Sequence, residues 1–350
     1  MSRARDFADL AGSASAGGIT GRNMVINGGM TISQRGTSFS SAANVAYTLD
    51  RMQWYDTGDG VVDISQSTDT PNGNFYNSLK VDVTTEDSSL ASSDLYNIIH
   101  QIEGYNIAHL GWGTSAAKTV TLSFHIKSPK TGTHCVTLRN SDQTRTRVEE
   151  FTVSAANTWE KKTITIPGDT SGTWQATTSA GIQLIFPLAA GSNFHSSVAA
   201  GSWGNGGNIY ASSNQVNCMD DAANNWYITG IQLEVGQAAT EFEYESYTDT
   251  LARCQRYYYE SGGTATNDWG QKGYLAASAY CANTLSHPVA MKGAPNVVKA
   301  GTFVVSGIAQ PAALGSSSVS WQWQAQKTSS AGTYTMYSNS SGKFTISAEY

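Results

Sequence analysis

A site that hydrolyses a glycosidic bond needs two carboxyl groups about 5 to 9 Å apart, one to protonate the leaving oxygen and one to attack or to activate water. Candidate acids in this chain are Asp50, Asp82, Glu103, Glu149, Glu150 and Glu234, and no spacing among them selects a pair. The six histidines, His100, His109, His125, His134, His195 and His287, are scattered without the spacing of a metal or acid–base site. His125 and His134 flank a predicted hairpin, where the pair reads either as the polar face of a sheet or as two ligands of a metal. Asp220 and Asp221, in a Gly/Asn-rich stretch, read either as Ca²⁺ ligands or as solvated acids. The four cysteines, Cys135, Cys218, Cys254 and Cys281, lie far apart with no Cys-x-x-Cys, which fits buried thiols in a reducing cytoplasm and neither a disulfide framework nor a zinc site. No Gly-x-Ser-x-Gly elbow, Walker loop or His-Glu-x-x-His occurs. Gly204-Asn205-Gly206-Gly207-Asn208 follows no strand-to-helix pattern and reads as a loop, not a nucleotide cradle. The expectation is therefore no catalytic residue, no metal and no cofactor.

Binding is better represented than catalysis. Nine tryptophans and seventeen tyrosines exceed what the core needs, and aromatic faces stack well on the apolar C–H patches of sugar rings. Trp203 lies in a Gly/Asn-rich loop with Tyr210 nearby, and Trp269 and Tyr274 flank a second loop. These four are the candidate glycan contacts. Trp54, Trp159, Trp226, Trp321 and Trp323 sit in strand patterns and are assigned to core or subunit interface.

Composition narrows the partners. Charged residues make up 14% and the net charge is -6, so no Lys/Arg cluster exists to replace the counterions of a nucleic acid. No run approaches a membrane span, and Met1-Ser2-Arg3-Ala4-Arg5-Asp6 lacks the apolar centre of a signal peptide. A protein of this kind that works outside a cell leaves by lysis or assembly.

The elements that position these residues read as all-β. Residues 1–21 form a separate segment, with Phe7 and Leu10 on one side of one or two helical turns and a Gly/Ser/Ala linker behind them. The segment is either a disordered tail or a plug that attaches the chain to a larger particle. From 22 to 246, strand signals recur between turn clusters such as Thr70-Pro71-Asn72-Gly73-Asn74. Val120, Leu122, Phe124 and Ile126 oppose Thr121, Ser123, His125 and Lys127. Leu79, Val81 and Val83, Val136 with Leu138, Ile164 with Ile166, and Ile182, Leu184 and Phe186 repeat that period of two. About ten such strands pack as two antiparallel sheets, a jelly-roll β-sandwich whose first and last strands lie close together. Residues 189–225 read as a long surface loop, either a functional excursion or plain connection. Near its end, Tyr227, Thr229, Ile231, Leu233 and Val235 are expected on one face of a strand, with Trp226, Ile228, Gln232 and Glu234 on the other. Residues 247–262 are expected to form a short connecting helix through Leu251, Cys254 and Tyr258. Residues 263–350 restart the pattern as a small C-terminal β domain, a sandwich with a thin core.

An ordered set of motifs carries a resemblance. Arg22-Asn23-Met24-Val25-Ile26-Asn27-Gly28-Gly29-Met30 leads to Gln34-Arg35-Gly36, then to Tyr47-Thr48-Leu49-Asp50-Arg51 with Trp54. Ile102-Glu103-Gly104-Tyr105-Asn106-Ile107-Ala108, Leu110-Gly111-Trp112-Gly113 and Gly168-Asp169-Thr170-Ser171-Gly172-Thr173-Trp174 follow. Tyr227-Ile228-Thr229-Gly230-Ile231-Gln232-Leu233-Glu234-Val235-Gly236, Ala239-Thr240-Glu241-Phe242-Glu243 and Cys254-Gln255-Arg256-Tyr257-Tyr258 close the set. Over residues 22 to 260 the chain resembles the tail-fibre and appendage proteins of tailed bacteriophages. The resemblance implies a virion protein, made in the host cytoplasm, with a jelly-roll domain like carbohydrate-binding modules. It also implies a homotrimer, because fibre tips with thin cores bury their apolar faces against two neighbours; Leu251, Cys254 and Tyr258 would then turn toward an adjacent subunit. The expected partners are other phage tail proteins through the N-terminus and a host cell-surface glycan, with no nucleic acid and no membrane insertion. Rival readings are a glycan-cleaving tailspike, although the parallel β-helix repeats usual in depolymerases are missing, and a purely architectural subunit without receptor contact.

Overall fold

The computed structural model describes residues 21–71, 73–262, 270–328, 330–338 and 341–350. Phe7, Leu10 and Trp269 lie outside the described residues. The chain divides into two compact units between Tyr247 and Thr248.

The first unit opens with β1 (Ser38–Phe39), β2 (Met52–Asp56), β3 (Val61–Ser67), β4 (Ser78–Thr85) and β5 (Leu95–Glu103). After the single helical turn α1 (Gly104–Ile107) come β6 (Val120–Lys127), β7 (Gly132–Arg139), β8 (Arg145–Val153) and β9 (Glu160–Ile166). β10 (Ala180–Ala190), β11 (Trp203–Asn205) and β12 (Asn225–Val235) complete it. One six-stranded sheet runs β1-β3-β4-β12-β6-β9 and the other β11-β8-β7-β10-β5-β2. Each sheet seats a late strand between earlier ones, β12 in the first and β10 in the second, so neither sheet can form until the chain has crossed back. This antiparallel order is a jelly-roll β-sandwich.

The period of two explains the packing. Val62, Ile64, Leu79, Val81, Leu122, Phe124 and Ile126 of the first sheet meet Trp54, Ile98, Leu138, Leu184 and Phe186 of the second in one buried core. β12 departs from the alternation expected of it. Thr229 pairs with His125 and Gln232 with Ser123, so two residues of β12 stand opposite the single Phe124. This β-bulge centres on Gly230, whose φ of 63° suits glycine. The extra residue reverses the phase: Trp226 and Ile228 face inward before it, Ile231 and Leu233 after it. Tyr227 and Thr229 thus lie on the opposite face from Ile231 and Leu233, which corrects the single alternation.

The opening segment closes the sandwich against that bulge. The Ile231 amide donates to the Gly28 carbonyl at 3.0 Å, and the Met24 amide to the Leu233 carbonyl at 3.0 Å. Asn23 Nδ2 donates to the Ile231 carbonyl at 3.0 Å, while its Oδ1 accepts from the amides of Val25 at 2.9 Å and Leu233 at 3.1 Å. The Glu243 carboxylate accepts from the amides of Gly21 at 2.5 Å and Asn23 at 2.7 Å. The beginning and end of the unit therefore lie side by side, as the jelly-roll reading expects.

Residues 191–224 run over the surface, as the loop reading expects, and are tied down. They cross the outward side of the second sheet, where Thr137 Oγ1 donates to the Tyr210 carbonyl at 2.6 Å and the Cys135 amide to Gln215 Oε1 at 2.7 Å. Tyr210 and Ala211 join Leu95, Ile99, Cys135, Val148 and Ile185 in a second buried cluster. The Tyr210 carbonyl and the Gln215 side chain thus cross-link the stretch to the sheet face it crosses.

The second unit begins with α2 (Tyr247–Gln255). The helix ends seven residues earlier than expected: β13 (Tyr258–Gly262) follows it and pairs with the last strand, Tyr258 opposite Ser347 and Glu260 opposite Thr345. Consecutive aromatics at 257–259 suit a strand better than a helix. Next come β14 (Gly270–Leu275), β15 (Tyr280–Ser286), β16 (Asn296–Ala300), β17 (Val304–Ser306) and β18 (Ala312–Ser316). β19 (Ser320–Gln326), β20 (Gly332–Tyr337) and β21 (Lys343–Ser347) end the chain. They form the small C-terminal β domain expected, built of three three-stranded sheets, β13-β21-β16, β14-β20-β17 and β15-β19-β18. The central strands β19, β20 and β21 carry Trp321, Trp323, Tyr334, Met336, Phe344 and Ile346 into one shared buried cluster. A single chain already covers this core, so thinness gives no reason for three copies to share it.

Candidate functional site

β7, β10, β5 and β2 are adjacent in the second sheet, and their alternation sets Arg139, Gln183, Gln101 and Gln53 on the outward side. The four form a polar row across the strands. Arg139 Nε donates to Gln183 Oε1 at 2.7 Å. Gln183 Nε2 stands 3.5 Å from Gln101 Oε1, and Gln101 Nε2 stands 3.5 Å from Gln53 Oε1. Contacts at that distance sit at the limit of a hydrogen bond, so the amides are aligned but only loosely engaged with one another.

Tyrosines flank the row. Arg139 Nη2 lies 3.3 Å from Tyr210 Oη, and its guanidinium carbon lies 4.5 Å from the Tyr210 ring centre, a cation–π distance. Tyr55 stacks beside Tyr210 with centroids 6.4 Å apart and planes 4° from parallel. Burial, then Tyr210, pushes the Tyr55 phenol above its usual range, with Arg139 pulling the other way; it is a neutral hydroxyl at pH 7. Asn97 of β5 donates to the Tyr55 carbonyl at 3.1 Å.

Two polar atoms here have unused hydrogen-bonding capacity. Arg139 is 2% exposed, yet its Nη1 has no hydrogen-bond partner among the described residues, and neither has Asn97 Oδ1. A buried donor or acceptor in that condition costs on the order of 1–3 kcal/mol unless something completes its bonding. Amides and a guanidinium at strand spacing, beside tyrosine rings, are the donors and acceptors a hydroxyl-bearing ligand uses; Gln53, Asn97, Gln101 and Arg139 are buried, and Gln183 and Tyr55 are the more open members. They supply no nucleophile and no proton-transfer pair.

Tyr210 is thus brought into the site, but as a support. Its ring is 6% exposed, packed by Tyr55, Arg139 and Phe194, which leaves no face for a sugar; Tyr55 is the more open ring. Trp203 lies elsewhere, on β11, in an edge-to-face cluster with Trp112 at 5.3 Å and Trp174 at 5.4 Å. Trp112 and Trp174 are themselves 4.7 Å apart. Trp203 Nε1 donates to the Pro167 carbonyl at 2.8 Å, and Arg145 holds Asp169 through two bonds of 2.7 and 2.9 Å. Trp203 therefore sits on a strand and packs in a three-tryptophan cluster, where the sequence suggested a loop, and it remains half-buried. Tyr274 is 70% exposed on β14 of the other unit. Among the expected interface residues, Leu251 is half-buried, but Cys254 at 0% and Tyr258 at 6% exposure are covered within one chain and cannot face a neighbour.

The candidate acids and histidines have local duties. Asp50 accepts from the amide and side chain of Gln34, both at 2.6 Å, and Glu234 from the amide of Thr240 at 2.8 Å. Glu149 pairs with Arg147 at 2.5 Å, Asp82 with Lys80 at 2.9 Å, and Glu150 accepts from Asn214 at 3.0 Å. Glu103 is buried at the end of β5. Asp220 pairs with Lys130 at 2.8 Å and Asp221 accepts from the Ala223 amide at 2.8 Å. His125 and His134 do not meet. β6 and β7 belong to different sheets, and His134 points inward against Phe151, with ring centres 5.7 Å apart. Among the described residues no cluster of three or more His, Cys, Asp or Glu could hold a metal ion.

Gln53, Asn97, Gln101, Arg139 and Gln183 were missed from sequence. The available signal was an amide at alternate positions inside otherwise apolar strands, as in Leu95-Tyr96-Asn97-Ile98-Ile99-His100-Gln101-Ile102 and Ile182-Gln183-Leu184.

Sheet order and site together describe a jelly-roll β-sandwich with a polar, amide-rich outward face. No protein-family model matches the chain, and no curated protein sequence matches it. Among solved structures, the chain is similar to the enzymatically active domain of tailspike protein 4 of bacteriophage CBA120, at 14% identity and a TM-score of 0.33. That match covers 61% of this chain and 22% of the tailspike chain, so this chain spans well under a third of its length. It is similar to a family 11 carbohydrate-binding module from Clostridium thermocellum in complex with a β-1,3-1,4-mixed-linked tetrasaccharide, at 12% identity and a TM-score of 0.28 over 59% of this chain and 97% of that one. It is also similar to a family 61 carbohydrate-binding module, TmCBM61, in complex with β-1,4-galactotriose, at 11% identity and a TM-score of 0.29 over 61% and 99% of the two chains.

Proposed function

We propose that this chain is a glycan-binding virion protein of a tailed bacteriophage, a fibre or spike component that holds host-surface carbohydrate without cleaving it. The observation that carries the binding part is the row Arg139–Gln183–Gln101–Gln53 beside the Tyr55 ring, with Arg139 Nη1 and Asn97 Oδ1 lacking a hydrogen-bond partner among the described residues. Neutral amides and a guanidinium match sugar hydroxyls, and a half-buried tyrosine matches a pyranose face. The phage part rests on the motif resemblance over residues 22 to 260.

In this reading residues 1–21 attach the chain to the tail and the first unit presents the glycan site. Copies associate as a trimer through the second unit, where Tyr274, Leu314 and Val319 are apolar and exposed. Linked copies then multiply weak contacts by valency. The test is adsorption: purified protein competes with phage for host cells, and Gln101→Ala with Gln183→Ala abolishes the competition. Competition that survives the double change refutes the site. Release of soluble oligosaccharide from host polysaccharide by the purified chain would refute the non-enzymatic reading.

A further inference from the structure

The bulge that reverses β12 also opens a cavity on the outward side of the first sheet, the face opposite the amide row. With no side chain at Gly230, space is left beside Phe75 and His125: a Cβ there would stand 2.6 Å from Phe75 Cζ and 3.1 Å from His125 Nδ1. The cavity measures about 230 Å³. Sites for drug-sized ligands run about 300–1,000 Å³, so this one suits a ligand of a single ring.

One wall is aromatic. Phe75, Phe242 and Tyr244 pack together with centroids 5.0 to 5.7 Å apart, and Tyr244 is fixed by its hydroxyl, which donates to the Asn74 carbonyl at 2.6 Å. The Tyr244 ring nevertheless stays largely exposed. The other walls are polar and balanced in charge. Lys161 and Glu241 both line the cavity, and neither has an ion-pair partner among the described residues. His125 Nδ1 is buried without a hydrogen-bond partner among the described residues. Burial, then Lys161, holds that imidazole below its ordinary value, against the pull of Glu241, so at pH 7 it is neutral, with one donor and one acceptor nitrogen.

We propose that this cavity is a second carbohydrate site, taking one uncharged pyranose residue. The aromatic wall matches the apolar face of the ring. The carboxylate, ammonium and imidazole match its hydroxyls as acceptor, donor and either. With one ammonium and one carboxylate in its lining, the cavity gives a ligand of either net charge no net electrostatic gain. The cavity shares no residue with the amide row, so the proposal stands independently of the site on the other sheet.

The test follows the His125 ring resonances while neutral methyl hexopyranosides are titrated into the whole chain. At least one glycoside is expected to shift them saturably in the millimolar range. Tyr244→Ala and Glu241→Gln, both at exposed positions, should weaken that response about tenfold, roughly 1.4 kcal/mol. Gln183→Ala, which impairs only the amide row, should leave it unchanged. Three results overturn the proposal: no neutral glycoside moves His125, a glucuronate binds better than the neutral sugars, or Tyr244→Ala binds as well as the unaltered chain.

Discussion

Gly28 lies so close to Ile231 that a Cβ at position 28 would stand 2.0 Å from the Ile231 carbonyl oxygen. Over two hundred residues separate the two, and their contact is where the jelly roll closes. The Ile231 amide donates to the Gly28 carbonyl from within the β12 bulge, so the approach is backbone to backbone and only glycine permits it. Gly28→Ala is expected to cost about 1–3 kcal/mol or more, as overpacking of a rigid site does. Urea denaturation of the first unit measures it, and an unchanged midpoint would show that the closure is dispensable.

Asn23 supplies the polar half of the same closure. Its amide satisfies the Ile231 carbonyl and its oxygen serves the amides of Val25 and Leu233. Asn23→Ala leaves buried backbone groups unpaired, a loss of about 1–3 kcal/mol. Asn23→Asp should be nearly as damaging, because a carboxylate cannot donate to the Ile231 oxygen. Equal stability of Asn23→Asp and the unaltered chain would assign the bond to Nδ2 wrongly.

These contacts explain why the motifs of the sequence come as an ordered set. Arg22 to Met30 and Tyr227 to Glu243 are the two halves of one closure, and Gln34 meets Asp50 in the same region. Trp112 and Trp174 meet from the middle motifs. At these residues the motif set supplies the hydrogen bonding that holds the sandwich shut.

The tryptophan cluster gives a separate prediction. Trp203→Ala removes a half-buried ring from Trp112 and Trp174 and frees the Pro167 carbonyl. A loss on the order of 2 kcal/mol is expected, below the ~3–5 kcal/mol of a fully buried aromatic, with changed tryptophan fluorescence and undiminished glycan binding. Loss of binding without loss of stability would return Trp203 to the ligand.

Stability should also depend on pH through His134. Burial lowers its pKa, only partly offset by the Lys130 carbonyl it faces. The unfolded imidazole titrates near ~6.5, so below that pH the unfolded chain binds a proton that the folded chain resists. Its contribution is complete above about pH 6.5 and is lost as the pH falls below that value. His109 and His125 shift in the same direction, both chiefly through burial. The urea midpoint is expected to drop as the pH falls from neutral into the range just below the ordinary imidazole pKa, and to drop less in His134→Gln. An identical profile in that variant would remove His134 from the account.

How much was legible follows from which strands have one wet face. β4 and β19 alternate in burial because one side is core and the other is open, whereas β6 alternates in sequence although its outward Thr121 and Ser123 are buried as well. β5 is buried along its whole length, covered inside by the core and outside by its neighbours on the outward face, so Leu95 to Glu103 shows no period. β14, β15 and β18 failed in the opposite way. They flank central strands and are mostly exposed, so polar runs such as Gly270 to Leu275 carry no core signature although their backbones pair. The amide row was illegible for a related reason: Gln101 and Gln183 look like isolated polar residues until β10 is placed beside β5.

The most direct measurement is calorimetric titration of host-surface polysaccharide into the unaltered chain and into a chain carrying Gln101→Ala and Gln183→Ala, with folding of both verified by thermal melting. Saturable binding by the first, weakened at least about tenfold in the second at equal stability, is the predicted result. Equal affinity of the two chains for the same polysaccharide would contradict it.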